Sequence, residues 1–189
     1  MTETTTVAAR QPGNASSDRR SILFLVSLLV LILDRVTKMA VAHALPLGGA
    51  HVVIPNVFRI THVLNIGAAF SLFGDSASPE RVRWMLVGFS LIAAIVVAIV
   101  LLRMGRRITM TTFGLALILG GAIGNAYDRI RTGAVIDFFE VHIVHYHWPD
   151  FNVADSAIVV GGILLFFDAL FVGKEEAPVG EPAIRNHHG

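Results

Sequence analysis

Residues 84–102 read WMLVGFSLIAAIVVAIVLL, nineteen consecutive positions without a charge. A helix rises about 1.5 Å per residue, so roughly 20 apolar residues cross the ~30 Å hydrocarbon core of a bilayer. Trp84 stands at one end of the run, where an indole suits the headgroup level. Three neighbouring stretches resemble it. Residues 108–126 are also uncharged and end on Tyr127-Asp128-Arg129. Residues 21–45 are largely apolar, interrupted by the charges of Asp34, Arg35 and Lys38, and in residues 152–172 the only charged side chains are Asp155 and Asp168. Barrel strands would be shorter and alternating. The pattern predicts an all-α membrane protein: a four-transmembrane-helix bundle forming one domain over residues 21–172.

The whole chain agrees. Its 189 residues are 54% hydrophobic and 15% charged, with a mean hydropathy of +0.66, whereas a soluble domain carries roughly a quarter charged residues. A net charge of +1 argues against a nucleic-acid partner. The absence of cysteine removes disulfides, thiol nucleophiles and Cys-ligated metals. Residues 1–20 are polar and predicted to be a disordered cytoplasmic N-terminus, and residues 173–189 a solvated cytoplasmic tail. The first span is too long, and too interrupted by charge, for a cleaved signal, and is taken as retained.

Arg19 and Arg20 precede the first span, and Arg103, Arg106 and Arg107 fill the link between the second and third. Positive residues favour the cytoplasmic side, which places both termini there. The opposite side receives 46–81 and the link after the third span. HVVIP (51–55), VFRITHVL (57–64) and GAVIDFFEVHIVHYHW (133–148) are rich in β-branched and aromatic residues. They predict a small extracytoplasmic β-like platform. The NIGAAFSLFGD stretch (65–75) reads as a short interfacial helix or a loop.

The polar residues then sort by depth. Asp34 lies about 20 Å up the first helix from its cytoplasmic end, with Lys38 one turn higher on the same face. Asn125 and Asp128 fall at the outer end of the third helix, Asn152 and Asp155 at the outer start of the fourth, and Asp137 in the link between. Charge at membrane depth costs a few kcal/mol per residue, so convergence at one level points to function. Asp168 lies about 20 Å along the helix from Asp155, at the cytoplasmic end. Each residue also has a purely structural reading. Asn152 and Asp155 suit a helix cap, Asp128 an ion pair with Arg129, and Asp34–Lys38 a pair locking helices together. Asp137, among Val135, Ile136, Phe138 and Phe139, has no sequence-local partner. His142, His145 and His147 do not converge by spacing alone on an extended segment, so ordinary interfacial histidines are expected, with no metal and no cofactor. Gly120, Gly121 and Gly124 form a small-residue face for helix contact rather than a phosphate loop.

Two aspartates can hydrolyse an amide without a covalent intermediate. One, ionised, takes a proton from water, while the other, protonated, donates to the carbonyl oxygen or leaving nitrogen. Asp155, facing the positive end of a helix, is expected as the base, and Asp137, among apolar neighbours, as the acid. A small ion- or proton-coupled transporter lined by Asp34, Lys38, Asp137 and Asp155 is the main rival, followed by a purely structural subunit. A transport pathway needs polar groups at several depths, and the middles of the second and third spans have none.

The stretches DRVTK (34–38), NIGAAF (65–70), GGAIGNAYDRI (120–130), AVIDFFEV (134–141) and FNVADSAI (151–158), in this order, resemble the lipoprotein signal peptidase family, signal peptidase II. The resemblance implies a catalytic dyad of Asp137 and Asp155, with Asp34, Lys38, Asn65, Asn125, Arg129 and Asn152 supporting the site. It further implies an intramembrane aspartic endopeptidase of the bacterial cytoplasmic membrane. Such an enzyme removes the signal peptide from diacylglyceryl-modified prolipoproteins, just before the lipidated cysteine. Its expected partners are those lipid-modified substrates and membrane lipid, and it is expected to act as a monomer. Arg35 and Ile66 stand where the family more often has glutamine and a polar residue.

Overall fold

The structure, a computed structural model, describes residues 18–67, 78–144 and 146–172. The expectations for residues 1–17, 68–75, His145 and 173–189 lie outside the described residues. The element order is α1 (Arg20–Ala44), β1 (Ala50–Ile54), β2 (Phe58–Asn65), α2 (Pro79–Met104), α3 (Met110–Thr132), β3 (Val135–Ile143), β4 (Tyr146–Phe151) and α4 (Val153–Val172).

Helices α2, α3 and α4 are each long and apolar enough to cross a membrane. Helix α1 is long enough at 25 residues, but Asp34, Arg35 and Lys38 set it apart from the other three. Much of the apolar surface points outward, including Phe89 on α2, Leu25 and Leu29 on α1, and Phe166 on α4. In water such faces would be a liability; facing lipid tails they cost nothing.

Helix α3 is the hub, packing against α1, α2 and α4. Association between lipid-facing helices comes from close packing rather than water exclusion, so small residues are needed at crossings. A methyl at Gly121 would run into the Ala154 carbonyl oxygen of α4, and one at Gly120 into the Ser27 carbonyl of α1. The small-residue face read from the sequence therefore serves two contacts. Ser27 Oγ adds an interhelical hydrogen bond, donating to the Ala116 carbonyl at 2.8 Å. Leu23, Leu101, Leu115 and Leu119 form the apolar core of the bundle.

The small β-like platform expected beside the helices is present as a sheet. The segments on either side of α2 and α3, residues 50–65 and 135–151, join into one antiparallel sheet of order β1-β2-β3-β4. Pairing β2 with β3 brings residues 58–65 beside 135–141, with a register shift between Ile60 and Val63. Such a bulge re-aims the side chains beyond it, here where Val63 pairs with Asp137 and Asn65 with Val135. The end of β2 turns at Gly67, whose φ of +102° favours glycine and whose N–H donates to Asn65 Oδ1 at 2.8 Å.

The C-terminus of α3 is closed by another element. Gly133 takes the left-handed cap conformation and its N–H donates to the Arg129 carbonyl at 3.1 Å, while Arg83 of α2 donates to the carbonyls of Arg129 and Ile130, at 2.7 and 2.8 Å. The guanidinium thus adds to the glycine cap in satisfying the last carbonyls of the helix.

Candidate active site

Asp137 enters the bundle from β3 and is buried, with 2% of its surface exposed. Both of its oxygens accept amide N–H groups: Oδ2 from Asn65 at 2.9 Å and Oδ1 from Asn152 at 2.7 Å. The partners absent from its own stretch of sequence come from β2 and from the residue before α4. Burial pushes the Asp137 carboxyl up to about 6, the bonds from Asn65 and Asn152 hold it back, and the negative charge of Asp155 adds to the rise.

Asp155 sits in the first turn of α4. Asn152 and Asp155 cap the helix reciprocally: the Asp155 N–H donates to Asn152 Oδ1 at 3.0 Å, and the Asn152 N–H donates to Asp155 Oδ2 at 3.3 Å. The capping role expected of this pair is therefore real. It is also more than a cap, because the same Asn152 that holds Asp155 donates its side-chain amide to Asp137. One fully buried asparagine links the two carboxylates.

Behind Asp155 lies a relay of orientation. Asn125 Nδ2 donates to Asp155 Oδ1 at 2.7 Å, and Asn125 Oδ1 accepts from Lys38 Nζ at 3.3 Å. An ammonium only donates, so it forces the amide oxygen toward itself and the amide N–H toward Asp155. Lys38 is fully buried and pairs with Asp34 at 2.7 Å and with Asp128 at 2.7 Å. The other Asp34 oxygen accepts the free Ala154 N–H of α4 at 3.0 Å. The Asp34–Lys38 pair thus locks α1 to α3 and α4, as its structural reading held, and also orients the site.

Two readings of the sequence need correction. The partners of Asp128 are Arg35, at 3.2 Å, and Lys38, rather than the adjacent Arg129. Successive helical residues diverge by about 100°, so Asp128 faces α1 while Arg129 turns away. Arg129 instead donates to the Asn125 carbonyl at 3.5 Å, with Nε buried and without a hydrogen-bond partner among the described residues. His142 and His147 do converge: they form a cross-strand pair of β3 and β4, and both face Glu140. Asp168 stands apart, accepting from Thr111 in the first turn of α3, the end opposite Asn125. Arg59 and Glu140, which the sequence reading did not single out, form a two-point pair across β2 and β3. Their positions oppose one another only through the sheet register, so nothing local signals it.

Asp155 is only half buried, and beside it opens an apolar cleft of ≈ 570 Å³ between the β3–β4 hairpin and α4. Trp148, Phe151, Val159 and Val160 form its walls and Asp155 and Ser156 its polar end. Fold and site together define a membrane enzyme with a polar centre at one end of a helical bundle.

The comparisons agree on that class. The fold is similar to a bacterial membrane enzyme solved by the in meso method at 2.3 Å, with a TM-score of 0.73 and 27% identity over 85% of this chain and 94% of that one. A second such enzyme, solved at 1.9 Å, has a TM-score of 0.71 and 30% identity over 80% of this chain and 94% of that one. Residues 26–171 match the model of the family described as Signal peptidase (SPase) II. The lipoprotein signal peptidase of Pseudomonas putida KT2440 is 45% identical over 82% of this chain and 90% of its own length. That of Paraburkholderia phymatum STM815 is 42% identical over 77% and 85%. The chain belongs to the signal peptidase II family and is a membrane protease of lipoprotein processing.

Proposed function

We propose that the protein is an aspartic endopeptidase that removes the signal peptide from diacylglyceryl-modified prolipoproteins, cutting just before the lipidated cysteine. The observation that carries this reading is the tie of Asp137 and Asp155 to the same Asn152, one carboxyl deeply buried and the other open to the cleft. The two environments differ in the sense a general acid and a general base require. Asp155 takes a proton from a water molecule, whose oxygen attacks the scissile carbonyl carbon. Asp137 gives its proton to the carbonyl oxygen, forming a neutral gem-diol. In the second half, protonated Asp155 delivers its proton to the leaving nitrogen as the C–N bond breaks. Asp137 recovers its proton from a gem-diol hydroxyl, and both carboxyls return to their starting states. Asn125 and Asn152 hold the two carboxylates in place, and Lys38 and Asp34 act through Asn125 and α4.

We infer that α1 is a fourth span. Its three charges are turned to Asp128, Asn125 and Ala154, while Leu25, Leu29, Ile32 and Val36 stay exposed as a lipid-facing side. Four spans put both termini on one side, the cytoplasmic side by the arginine bias, with residues 1–20 and 173–189 outside the bilayer. The enzyme then sits in the inner membrane, with its dyad near the outer leaflet. A substrate held in the membrane by its acyl chains and signal helix reaches the dyad laterally, its apolar parts suited to the cleft beside Asp155. Among the described residues β1 is an edge strand, available to an extended peptide by strand addition. The monomer contains both aspartates and all their supports.

The test is cleavage of a diacylglyceryl-modified precursor by detergent-purified protein. Asp137→Asn and Asp155→Asn are each expected to abolish cleavage with the fold retained. Substantial activity in either variant defeats the mechanism.

A further inference from the structure

The β3–β4 hairpin carries a second cluster, outside the dyad. His142 and His147 lie directly opposite one another on the two strands, with ring centroids 5.0 Å apart. Their Nε2 atoms approach the same oxygen, Glu140 Oε1, at 3.0 and 2.9 Å. Glu140 and the two histidines present ligand atoms that all lie within 4.8 Å of one another. The Arg59 guanidinium grips the same carboxylate from β2, Nε donating to Oε2 at 2.6 Å and a second nitrogen donating to Oε1. Oε1 therefore faces three nitrogens, more than the two lone pairs of a carboxylate oxygen. Beside them, Asp150 Oδ1 is buried, has no hydrogen-bond partner among the described residues, and lies 3.5 Å from His147 Nε2.

One cation resolves this crowding. If each imidazole turns a lone pair inward instead of an N–H, both nitrogens and Oε1 become ligands of one ion and no longer compete for the same lone pairs. Two imidazole nitrogens with one carboxylate oxygen select a borderline divalent metal such as Zn²⁺ over Ca²⁺ or Mg²⁺, which prefer oxygen. Arg59 has the place of an outer partner that fixes the ligating carboxylate, and Asp150 offers a further anionic oxygen on the His147 side. The backbone frame does not depend on the ion: β3 and β4 are paired, and the His142 N–H is held by the Val57 carbonyl at 2.8 Å. His147 is half exposed, so the site is open to the medium.

We propose that Glu140, His142 and His147 form a binding site for a zinc-like divalent transition-metal ion, which clasps the outer end of the β3–β4 hairpin. Val141, Ile143 and Trp148 of that hairpin line the cleft beside Asp155, so the clasp stiffens one wall of the cleft while supplying no ligand to the dyad. The site is separate from the peptidase chemistry and stands or falls without it.

The experiment titrates Zn²⁺ into detergent-purified, chelator-stripped full-length protein, following heat of binding and melting temperature. His187 and His188 near the C-terminus are a second imidazole pair, so H187A/H188A is run alongside His142→Ala, His147→Ala and Glu140→Gln. One equivalent bound, with a raised melting temperature, retained in H187A/H188A and weakened at least about tenfold in each site variant, supports the proposal. If stripped His147→Ala melts below the stripped parent, His147→Gln replaces it. Binding unchanged in all three site variants, binding lost in H187A/H188A, or no stabilisation by Zn²⁺ overturns it.

Discussion

Asp137→Asn should change the pH dependence of stability in a direction opposite to the usual carboxylate. In the folded protein the Asp137 carboxyl is pushed up to about 6 from an ordinary 3.8, chiefly by burial. In the unfolded chain it titrates near the ordinary value. Between those two values the folded state holds a proton that the unfolded state has released, so stability falls as pH rises through that window. Two pH units at 1.36 kcal/mol each amount to about 3 kcal/mol lost by pH 7. The side chain is 2% exposed, so solvent screening offers little relief. Asparagine removes the charge but sets an NH₂ against the donating amide of Asn65 or Asn152, a fixed cost of about 1–3 kcal/mol at every pH. That cost cancels when the variant is compared with the parent at two pH values. The difference in stability between Asp137→Asn and parent should move by about 3 kcal/mol in favour of the variant between pH 3 and pH 7.5. For a chain of this size that is about 6–12 °C in melting temperature. The assay is thermal unfolding of both proteins in one detergent across that range. A flat difference, or one moving toward the parent, refutes the view that Asp137 is buried at the expense of stability.

The same carboxyl predicts the rate profile. Acting as the acid, Asp137 must be protonated, so the rate of precursor cleavage should fall as pH rises through about 6; a rate still climbing at pH 8 would exclude that role. Removing the Asn65 bond, which favours the ionised form, should move this alkaline limb to higher pH, measurable as a displaced profile in Asn65→Ala. Lys38→Met leaves Asp34 and Asp128 without their shared ammonium and should cost about 3–5 kcal/mol in an unfolding titration. It should also lower cleavage through Asn125. Gly121→Ala forces α3 away from Ala154 and should destabilise by about 1–3 kcal/mol. Cleavage should fall more than the loss of folded protein explains, because Asp155 moves with its neighbour.

The charge-free run at 84–102 and its neighbours determined the class of protein. An uninterrupted apolar segment of that length has few stable fates other than a bilayer, because burying it takes lipid or a large core. Depth counting along helices likewise brought Asn125, Asn152 and Asp155 to one end and set Asp168 at the other, since 1.5 Å per residue is a local property. The capping geometry of Asn152 and Asp155 was legible for the same reason. What the linear pattern left undecided is everything that depends on how separate elements meet. Asp137 finds Asn65 only because β2 pairs with β3 in a register shifted by a bulge. Asp128 turns to Arg35 and Lys38 because α1 crosses α3 on that face. His142 and His147 meet at Glu140 because the hairpin sets them opposite one another, although their spacing along the chain gives no sign of it. A strand shifted by one residue reverses which face every side chain occupies. The polar centre was therefore written in the chain as residue types at one depth, and tertiary packing alone decided which oxygen meets which nitrogen.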